Sequence, residues 1–136
     1  MKTYLLFVTI CISISFVHAQ VPKTVTVNTP GTLESVLTST ELINTTSLVV
    51  KGKINELDFL TMRIKMSALV SVDISETDVM ESTRNGYTYP ANEIPKYALS
   101  ENIKIKAIKL PSSANSIGVG AFRSCTGLRS FTNAVS

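Results

Sequence analysis

The sequence is poor in the residues from which hydrolytic and metal sites are most often built. Its 136 residues include one histidine, two cysteines and no tryptophan. The histidine, His18, lies in an N-terminal segment that we expect to be removed. The rest of the chain then has no imidazole to activate a serine or cysteine nucleophile or to join a metal cluster. Phosphate-loop and calcium-loop patterns are also absent, so we expect no enzyme activity, no metal and no cofactor.

An excess of charge of one sign is absent as well. The formal net charge is +3, and the lysines and arginines form no basic run, so we expect no nucleic-acid partner. Cysteine is equally scarce. Cys11 lies in the segment that we expect to be removed, and Cys125 then has no partner for an internal disulfide. The fold must therefore be held together by packing.

The first 19 residues are typical of a secretory signal peptide. Lys2 precedes an apolar run from Tyr4 to Val17, and Ala19 is the small residue before the expected cleavage point. The run is short for a bilayer span of about 20 residues and is interrupted by polar side chains. We expect export without a remaining membrane span, to a secreted or cell-surface location.

Two copies of one pattern occur near the C-terminal end. The first reads IPKYALSENIKIKAI, and the second, 23 residues later, reads IGVGAFRSCTGLRSF. A fixed period in the twenties indicates a solenoid, in which each repeat packs on its neighbours. Five positions coincide without a gap: Ile94 with Ile117, Ala98 with Ala121, Leu99 with Phe122, Ile105 with Leu128, and Ile108 with Phe131.

A looser frame, apolar-x-x-apolar-x-apolar, starts at residues 45, 69, 105 and 128. Its alternation predicts short strands with one buried face. The step from 69 to 105 is longer than the others, and residues 81–92 are the natural insert. There Asn85-Gly86 favours a tight turn, and Pro90 cannot continue a central strand. We expect an inserted loop at this point.

Aligning the frames predicts the side chains that share the exposed face of the sheet. One predicted column contains Ser47, Ser71, Ala107 and Ser130, and the next contains Val49, Asp73, Lys109 and Thr132. Asp73 beside Lys109 predicts a cross-strand ion pair. Exposed sheets of this kind form extended binding surfaces, and the candidate partner-binding residues here are Ser71, Asp73, Ser75 and Lys109. Alternatively, small polar residues only keep a short sheet soluble.

The insert supplies two further candidates for contact with a partner. Tyr87 and Tyr89 are of the type that loops use at interfaces. Alternatively, the insert folds back on its own repeat.

Glycines and other small residues near the C-terminal end indicate tight turns between the elements of each repeat. Gly118, Gly120 and Gly127 permit positive φ and close packing between repeats. Cys125 is expected to point inward as a packing residue rather than to act as a nucleophile. The predicted repeat core consists of Ile94, Ala98, Leu99, Ile105, Ile108, Leu110, Ile117, Ala121, Phe122, Cys125 and Leu128.

Residues 20–68 form the predicted N-terminal cap, made of a strand, two short helices and the first strand of the repeats. The strand should bury Val25 and Val27 on one face. A short helix should follow, with an apolar side made of Leu33, Val36 and Leu37.

The segment NELDFLTMRIKM predicts the second helix. Asn55 can accept from the first free amides, and Asp58 three residues later completes a capping-box-like start. Met62 and Met66 are expected to fill packing gaps. The predicted apolar face contains Leu57, Leu60 and Ile64.

The segment IKAIKLPSSANSIGVGAFRSCTGLRSF resembles the BspA-type leucine-rich repeat, whose units read roughly L-x-x-I-x-L-P-x-S-V-x-x-I-G-x-x-A-F-x-x-C-x-x-L. The preceding repeat matches in part, with Leu99 where phenylalanine is usual and Asn102 where cysteine is usual. Ala114 replaces the usual valine. The matching positions are Ile105, Ile108, Leu110, Pro111, Ser113, Ile117, Gly118, Ala121, Phe122, Cys125 and Leu128.

The resemblance implies an α/β leucine-rich-repeat solenoid of short parallel strands with a small helical N-terminal cap, the repeats occupying residues 69–136. It also implies interaction or adhesion at the cell surface or outside the cell, with a host or matrix protein as partner. Such proteins generally have more repeats, so a truncated remnant and self-association through an open last coil are alternatives. A secreted carbohydrate-acting enzyme is a third.

Overall fold

The computed structural model describes residues 20–133. The predicted signal peptide, with Cys11 and His18, lies outside the described residues. The elements in chain order are β1 (Pro22–Val27), α1 (Leu33–Val36), α2 (Ser39–Asn44), β2 (Ser47–Ile54), α3 (Glu56–Lys65), β3 (Ser71–Val79), β4 (Ser82–Arg84), β5 (Tyr87–Tyr89), β6 (Glu93–Ile94), β7 (Ala107–Leu110), β8 (Ser116–Ile117) and β9 (Ser130–Asn133).

The chain has a mixed α/β fold around an open, five-stranded parallel sheet. The strand order is β1-β2-β3-β7-β9, so each strand lies beside the previous one in chain order. In the register, Ser47 pairs with Ser71, Ser71 with Ala107, and Ala107 with Ser130. These pairs confirm the predicted columns. They also show that the strands of residues 20–68 belong to the same sheet as the later ones.

A second, shorter parallel ladder joins β6 to β8, where Ile94 pairs with Ile117. The backbone conformation also recurs with the 23-residue period. Tyr97 and Gly120 both have positive φ, 57° and 67°, and so do Glu101 and Ser124, at 65° and 59°. The two segments therefore have backbone turns at equivalent positions, which the shared pattern of apolar residues alone did not predict.

The glycines of the last segment serve two different purposes. Gly120 has the expected positive φ, whereas Gly118 and Gly127 do not. A Cβ atom on Gly118 would lie 2.5 Å from the amide nitrogen of Lys96, and one on Gly127 would lie 2.4 Å from the carbonyl oxygen of Ile103. At these two positions glycine is required for close approach to the preceding segment, not for backbone conformation.

The core consists of side chains from one face of the parallel sheet and from the segments that connect its strands. Leu48, Val72 and Ile108 lie side by side in register and are buried. Strands β2, β3 and β7 place buried positions alternately with more exposed ones, as the frame predicts, whereas every residue of β9 is exposed. Thr45, at the weak first position of its frame, is buried as well.

Helix α3 begins where the sequence predicts. The side chain of Asn55 accepts a hydrogen bond from the amide of Leu57 at 3.0 Å, and Asp58 accepts one from the amide of Asn55 at 2.8 Å. The predicted apolar face is wrong. Leu57 and Ile64 are 40% and 60% exposed, and Leu60 is half-buried. The buried residues of the helix include Phe59 and Met62, with Met66 just after its end.

Asp58 explains this rotation of α3. Its carboxylate is fully buried and accepts hydrogen bonds from the amides of Gly31 at 2.7 Å, Leu33 at 2.8 Å and Asn55 at 2.8 Å. Bonds to an ionised acceptor are strong, and a buried carboxylate needs them. Burial of Asp58 therefore turns the neighbouring Phe59 inward and leaves the leucine and isoleucine stripe outside.

The region between β1 and β2 also differs from the prediction. Leu33 and Leu37 are buried, but Val36 is exposed. Helix α2 was not predicted, although its start has a readable signal. Thr38 and Glu41 form a reciprocal capping box of the form T-x-x-E.

The expected inserted loop contains an antiparallel hairpin. β4 pairs with β5, and the connecting residues Asn85 and Gly86 both have positive φ, 51° and 74°. Two successive left-handed residues are the pattern of a tight type I′ turn, which Asn-Gly favours. The hairpin lies between β3 and β6 in the chain. Its two strands are not part of the five-stranded sheet, in which β3 pairs directly with β7.

Candidate functional site

The outward side of the parallel sheet presents aligned small and charged side chains. We call this surface the sheet face and define it by Ser47, Val49, Ser71, Asp73, Ser75, Ala107, Lys109, Ser130 and Thr132. Apart from Ser75, these residues line a shallow depression of about 290 Å³. The parallel register holds corresponding side chains on adjacent strands. The structure thus brings together all four candidate residues that the sequence places on the strands.

Asp73 is the most constrained group of the sheet face. Its Oδ1 accepts hydrogen bonds from the amide of Ser75 at 2.9 Å and from the Ser75 hydroxyl at 2.6 Å. Its Oδ2 lies 3.5 Å from Nζ of Lys109, which confirms the predicted cross-strand ion pair. The Asp73 carboxylate is therefore oriented by the next residue of its own face and by the neighbouring strand.

These contacts determine the charge of Asp73. Partial burial raises its pKa, but the two hydrogen bonds from Ser75 and the charge of Lys109 outweigh this effect, and the pKa lies below its ordinary value. Asp73 is consequently ionised at neutral pH. A general acid needs a raised pKa, so this environment suits an ion-pairing or recognition role better than proton donation.

The remaining contacts leave the sheet face balanced in charge. The Ser71 hydroxyl donates to the Ser47 hydroxyl at 2.8 Å. Farther along the strands, Nζ of Lys51 lies 3.0 Å from Oε2 of Glu76. The sheet face is nearly flat and consists of hydroxyl groups and paired charges. Such a surface suits contact with a polar macromolecular surface better than enclosure of a small molecule.

The hairpin tyrosines lie elsewhere. Tyr89 is buried, and its ring packs edge-on against that of Tyr87 with centroids 4.8 Å apart. Nζ of Lys96 lies 3.2 Å from the centroid of the Tyr87 ring. An ion pair of 2.6 Å between Arg84 and Glu56 ties the hairpin to the start of α3. The hairpin thus packs against nearby parts of the chain. This agrees with the alternative prediction that the insert folds back rather than projecting as a free loop.

The predicted core positions divide into two groups. Ile94, Ala98, Leu99, Ile105, Ile108, Leu110 and Ala121 are buried. Phe122, Cys125 and Leu128 are only half-buried, and Ile117, expected in the core, is 50% exposed. Ile117 is paired on one side by β6, but within residues 20–133 no further strand lies on its other side. Ile94 also has a single strand partner, but it packs within the main hydrophobic core, to which Ile117 does not belong.

Cys125 is a free thiol that contacts the backbone of the preceding repeat. Its Sγ donates to the carbonyl oxygen of Leu99 at 3.0 Å. Burial raises the pKa of the thiol despite a weaker opposing hydrogen bond at the backbone of Asn102. A nucleophilic cysteine needs the opposite shift, so the environment favours a structural role.

Sequence reasoning missed the polar groups around the start of α3. Glu56, Arg84 and Lys96 come from three distant parts of the chain and meet only through the hairpin. No local pattern connects them, so nothing in the sequence could have grouped them. Asp58 was recognised as a capping residue, but its bonds to residues 31 and 33 also depend on tertiary structure.

Between residues 20 and 133 there is no cluster of three or more histidine, cysteine, aspartate or glutamate side chains that could hold a metal ion. No helix in that range is both long enough and apolar enough to cross a bilayer. No protein-family model and no curated protein matches the sequence.

Proposed function

We propose that this chain is an exported, non-enzymatic leucine-rich-repeat protein of the BspA type, and that it mediates protein–protein interaction or adhesion at the cell surface or outside the cell. The observation that supports this function best is the sheet face. Strands from successive segments place Ser71, Asp73 and Lys109 side by side on an open, charge-balanced surface. Repeat proteins use such surfaces to bind extended partners.

Two further observations support the leucine-rich-repeat interpretation. Paired strand residues are separated by 24 residues between Ser47 and Ser71 and by 23 between Ala107 and Ser130. Between Ser71 and Ala107, where the pairing is equally regular, the chain holds the extra hairpin. A constant repeat with an insertion on one side is the expected organisation of such proteins.

Binding to extracellular proteins tests the function. The full-length chain is secreted from an expression host, immobilised, and exposed to a panel of extracellular-matrix and cell-surface proteins. The double variant Ser71→Arg/Lys109→Glu adds bulk to the sheet face and reverses its central charge. We expect this variant to lose at least tenfold in affinity for any partner that the wild-type chain binds.

Lys106→Glu is the matched control, because it reverses the charge of an exposed lysine just before β7. It should bind like the wild type. Equal binding by all three proteins would show that the sheet face is not the interaction surface. Failure of the wild-type chain to bind any protein of the panel, together with a broad thermal transition, would favour a truncated remnant without its own binding role.

The alternative of a secreted carbohydrate-acting enzyme has its own test. The most constrained carboxylate of the sheet face belongs to Asp73. If the secreted chain hydrolyses any glycan of a broad panel and Asp73→Asn abolishes the turnover, the enzyme assignment replaces the one proposed here.

A further inference from the structure

A narrow cleft separates α3 from the hairpin β4–β5 and from residues 95–98. Its polar lining includes Glu56 and Arg63 from α3, Arg84 from the hairpin, and Lys96. Tyr89 and Tyr97 contribute aromatic walls. We call it the hairpin cleft. It shares no lining residue with the depression on the sheet face.

The cleft has an excess of positive charge. Arg84 is neutralised by Glu56 at 2.6 Å. Arg63 and Lys96, by contrast, have no carboxylate within ion-pair distance among residues 20–133. Two cations that line one small concave site without a carboxylate partner favour a ligand with negative charge.

Both cations are held in place by neutral groups. Nη1 of Arg63 donates to the carbonyl oxygen of Tyr97 at 3.2 Å and to the hydroxyl of Ser100 at 3.0 Å. The ammonium group of Lys96 lies 3.2 Å from the centroid of the Tyr87 ring. A guanidinium group has five N–H donors, so Arg63 keeps donors for a ligand. Donors that are already positioned lose less entropy on binding.

The size of the cleft limits the ligand. Its volume is about 100 Å³, roughly three times the ~30 Å³ that a water molecule occupies in the liquid. A single carboxylate group fits this space. Tyrosine and arginine together are typical of the anchoring points in protein interfaces.

We propose that the hairpin cleft binds an aspartate or glutamate side chain from an acidic polypeptide segment, with Arg63 and Lys96 donating hydrogen bonds to the carboxylate. This inference goes beyond the proposed function, because the cleft and the sheet face are separate surfaces. Either can fail while the other holds.

Fluorescence anisotropy with a labelled peptide of eight glutamates tests the inference, using the secreted full-length chain. Lys96→Gln removes one cation and breaks no side-chain hydrogen bond among residues 20–133. Arg63→Gln removes the other. Each should weaken binding by about tenfold, the effect of losing one close charge pair. Lys96→Arg restores a cation and should recover most of the affinity.

Two controls make the outcome specific. Lys106→Gln removes the same charge from an exposed lysine outside the cleft, and Lys109→Gln removes it from the sheet face. Neither should weaken binding by more than about twofold, the effect expected from screened long-range attraction. An equal loss in all variants would show diffuse electrostatic attraction and overturn the proposal.

Two other results would also overturn it. One is the absence of binding by the wild-type chain at millimolar peptide. The other is a sulfated oligosaccharide that binds more tightly than the peptide through the same two cations. Arg63 also joins α3 to Ser100, so thermal unfolding of its variant is checked, and Lys96→Gln decides the test if that variant unfolds.

Discussion

Two regions of this protein have the same sequence pattern and differ in burial. Ile94 and Ile117 are register partners in the short ladder, yet Ile94 is fully buried and Ile117 is 50% exposed. Ile108 and Phe131 are partners in the main sheet, and they differ in the same way, at 1% and 46% exposed. Ile94 and Ile108 pack within the main hydrophobic core, whereas Ile117 and Phe131 do not belong to it.

The difference shows that conformation and burial are specified separately. The backbone of residues 116–133 repeats the preceding segment, including its left-handed residues at positions 120 and 124. Glycine favours this conformation locally at position 120, whereas the amides of Tyr97 and Glu101 donate hydrogen bonds to the carbonyl oxygens of Val119 and Arg123 in the following segment. Burial of an apolar side chain depends instead on how many side chains from other segments pack against it.

The largest expected effect comes from the matched pair in the short ladder. Ile94→Ala should lower the free energy of unfolding by about 3–4 kcal/mol, because it leaves a cavity in a closed core. Ile117→Ala should cost about 1 kcal/mol, since half of its surface already contacts water. Urea unfolding of both variants measures the difference. Equal losses would show that a further neighbour covers Ile117.

The exposure of residues 116–133 suggests that substitutions there cost little stability. We expect Gly118 to be an exception. A Cβ atom there would lie 2.5 Å from the backbone nitrogen of Lys96 and 2.9 Å from the carbonyl oxygen of Ile94. Because both are backbone atoms, Gly118→Ala should destabilise by about 2–3 kcal/mol. Gly86→Ala is the control, with φ of 74° but open space around it, and should cost about 1 kcal/mol. A thermal shift smaller for Gly118→Ala than for the control would contradict the close approach.

Phe122 lies between the two extremes. Its half-buried ring packs edge-to-face against Phe131 with centroids 5.5 Å apart. We expect Phe122→Ala to cost about 2 kcal/mol, below the 3–5 kcal/mol typical of a fully buried phenylalanine. Chemical denaturation measures the loss. A loss of about 3–5 kcal/mol would instead place the ring in a closed core.

The smallest expected effect concerns pH and the centre of the sheet. Because the folded pKa of Asp73 is lower than its unfolded value, its ionised form stabilises the fold above about pH 4. This contribution is lost as the pH falls through the folded pKa. The urea midpoint of the wild type should therefore drop more between pH 5 and pH 2 than that of Asp73→Asn. Identical pH profiles would show that the contacts with Ser75 and Lys109 contribute nothing.

Glu41 in α2, which pairs with Lys23 of the edge strand β1, is a second carboxylate with a lowered pKa. Its ion pair with Lys23 and its hydrogen bonds from Thr38 lower its pKa to about 2, although the side chain is only half-buried. Carbon-detected NMR titration should find its midpoint below that of a free glutamate. Lys23→Gln should raise the midpoint, and no change would show that the ion pair is not populated in solution.

The repeat frame was predictable because strands in register impose a fixed spacing on their side chains. The columns of Ser47, Ser71, Ala107 and Ser130 followed from that spacing, and so did the ion pair of Asp73 with Lys109. The start of α3 followed from its capping residues, and the hairpin turn from its Asn-Gly pair. Each of these features depends on residues within one element or at one repeated offset.

The rotation of α3 was not predictable in the same way. Two apolar stripes are compatible with helical spacing, Leu57-Leu60-Ile64 and Phe59-Met62-Met66, and hydrophobicity does not distinguish them. The buried carboxylate of Asp58 decides between them through amides about 25 residues away. A hydrogen bond across that distance leaves no trace in local periodicity.

The sequence by itself determined the strand frame, the helix start, the hairpin turn and the scarcity of histidine and cysteine, because these depend on local backbone preference and composition. Only the tertiary structure decided which side of α3 is buried, that Ile117 is exposed, and that Arg63 and Lys96 meet at one cleft. Burial and charge clustering are properties of neighbours in space, and in this chain those neighbours come from segments far apart in sequence.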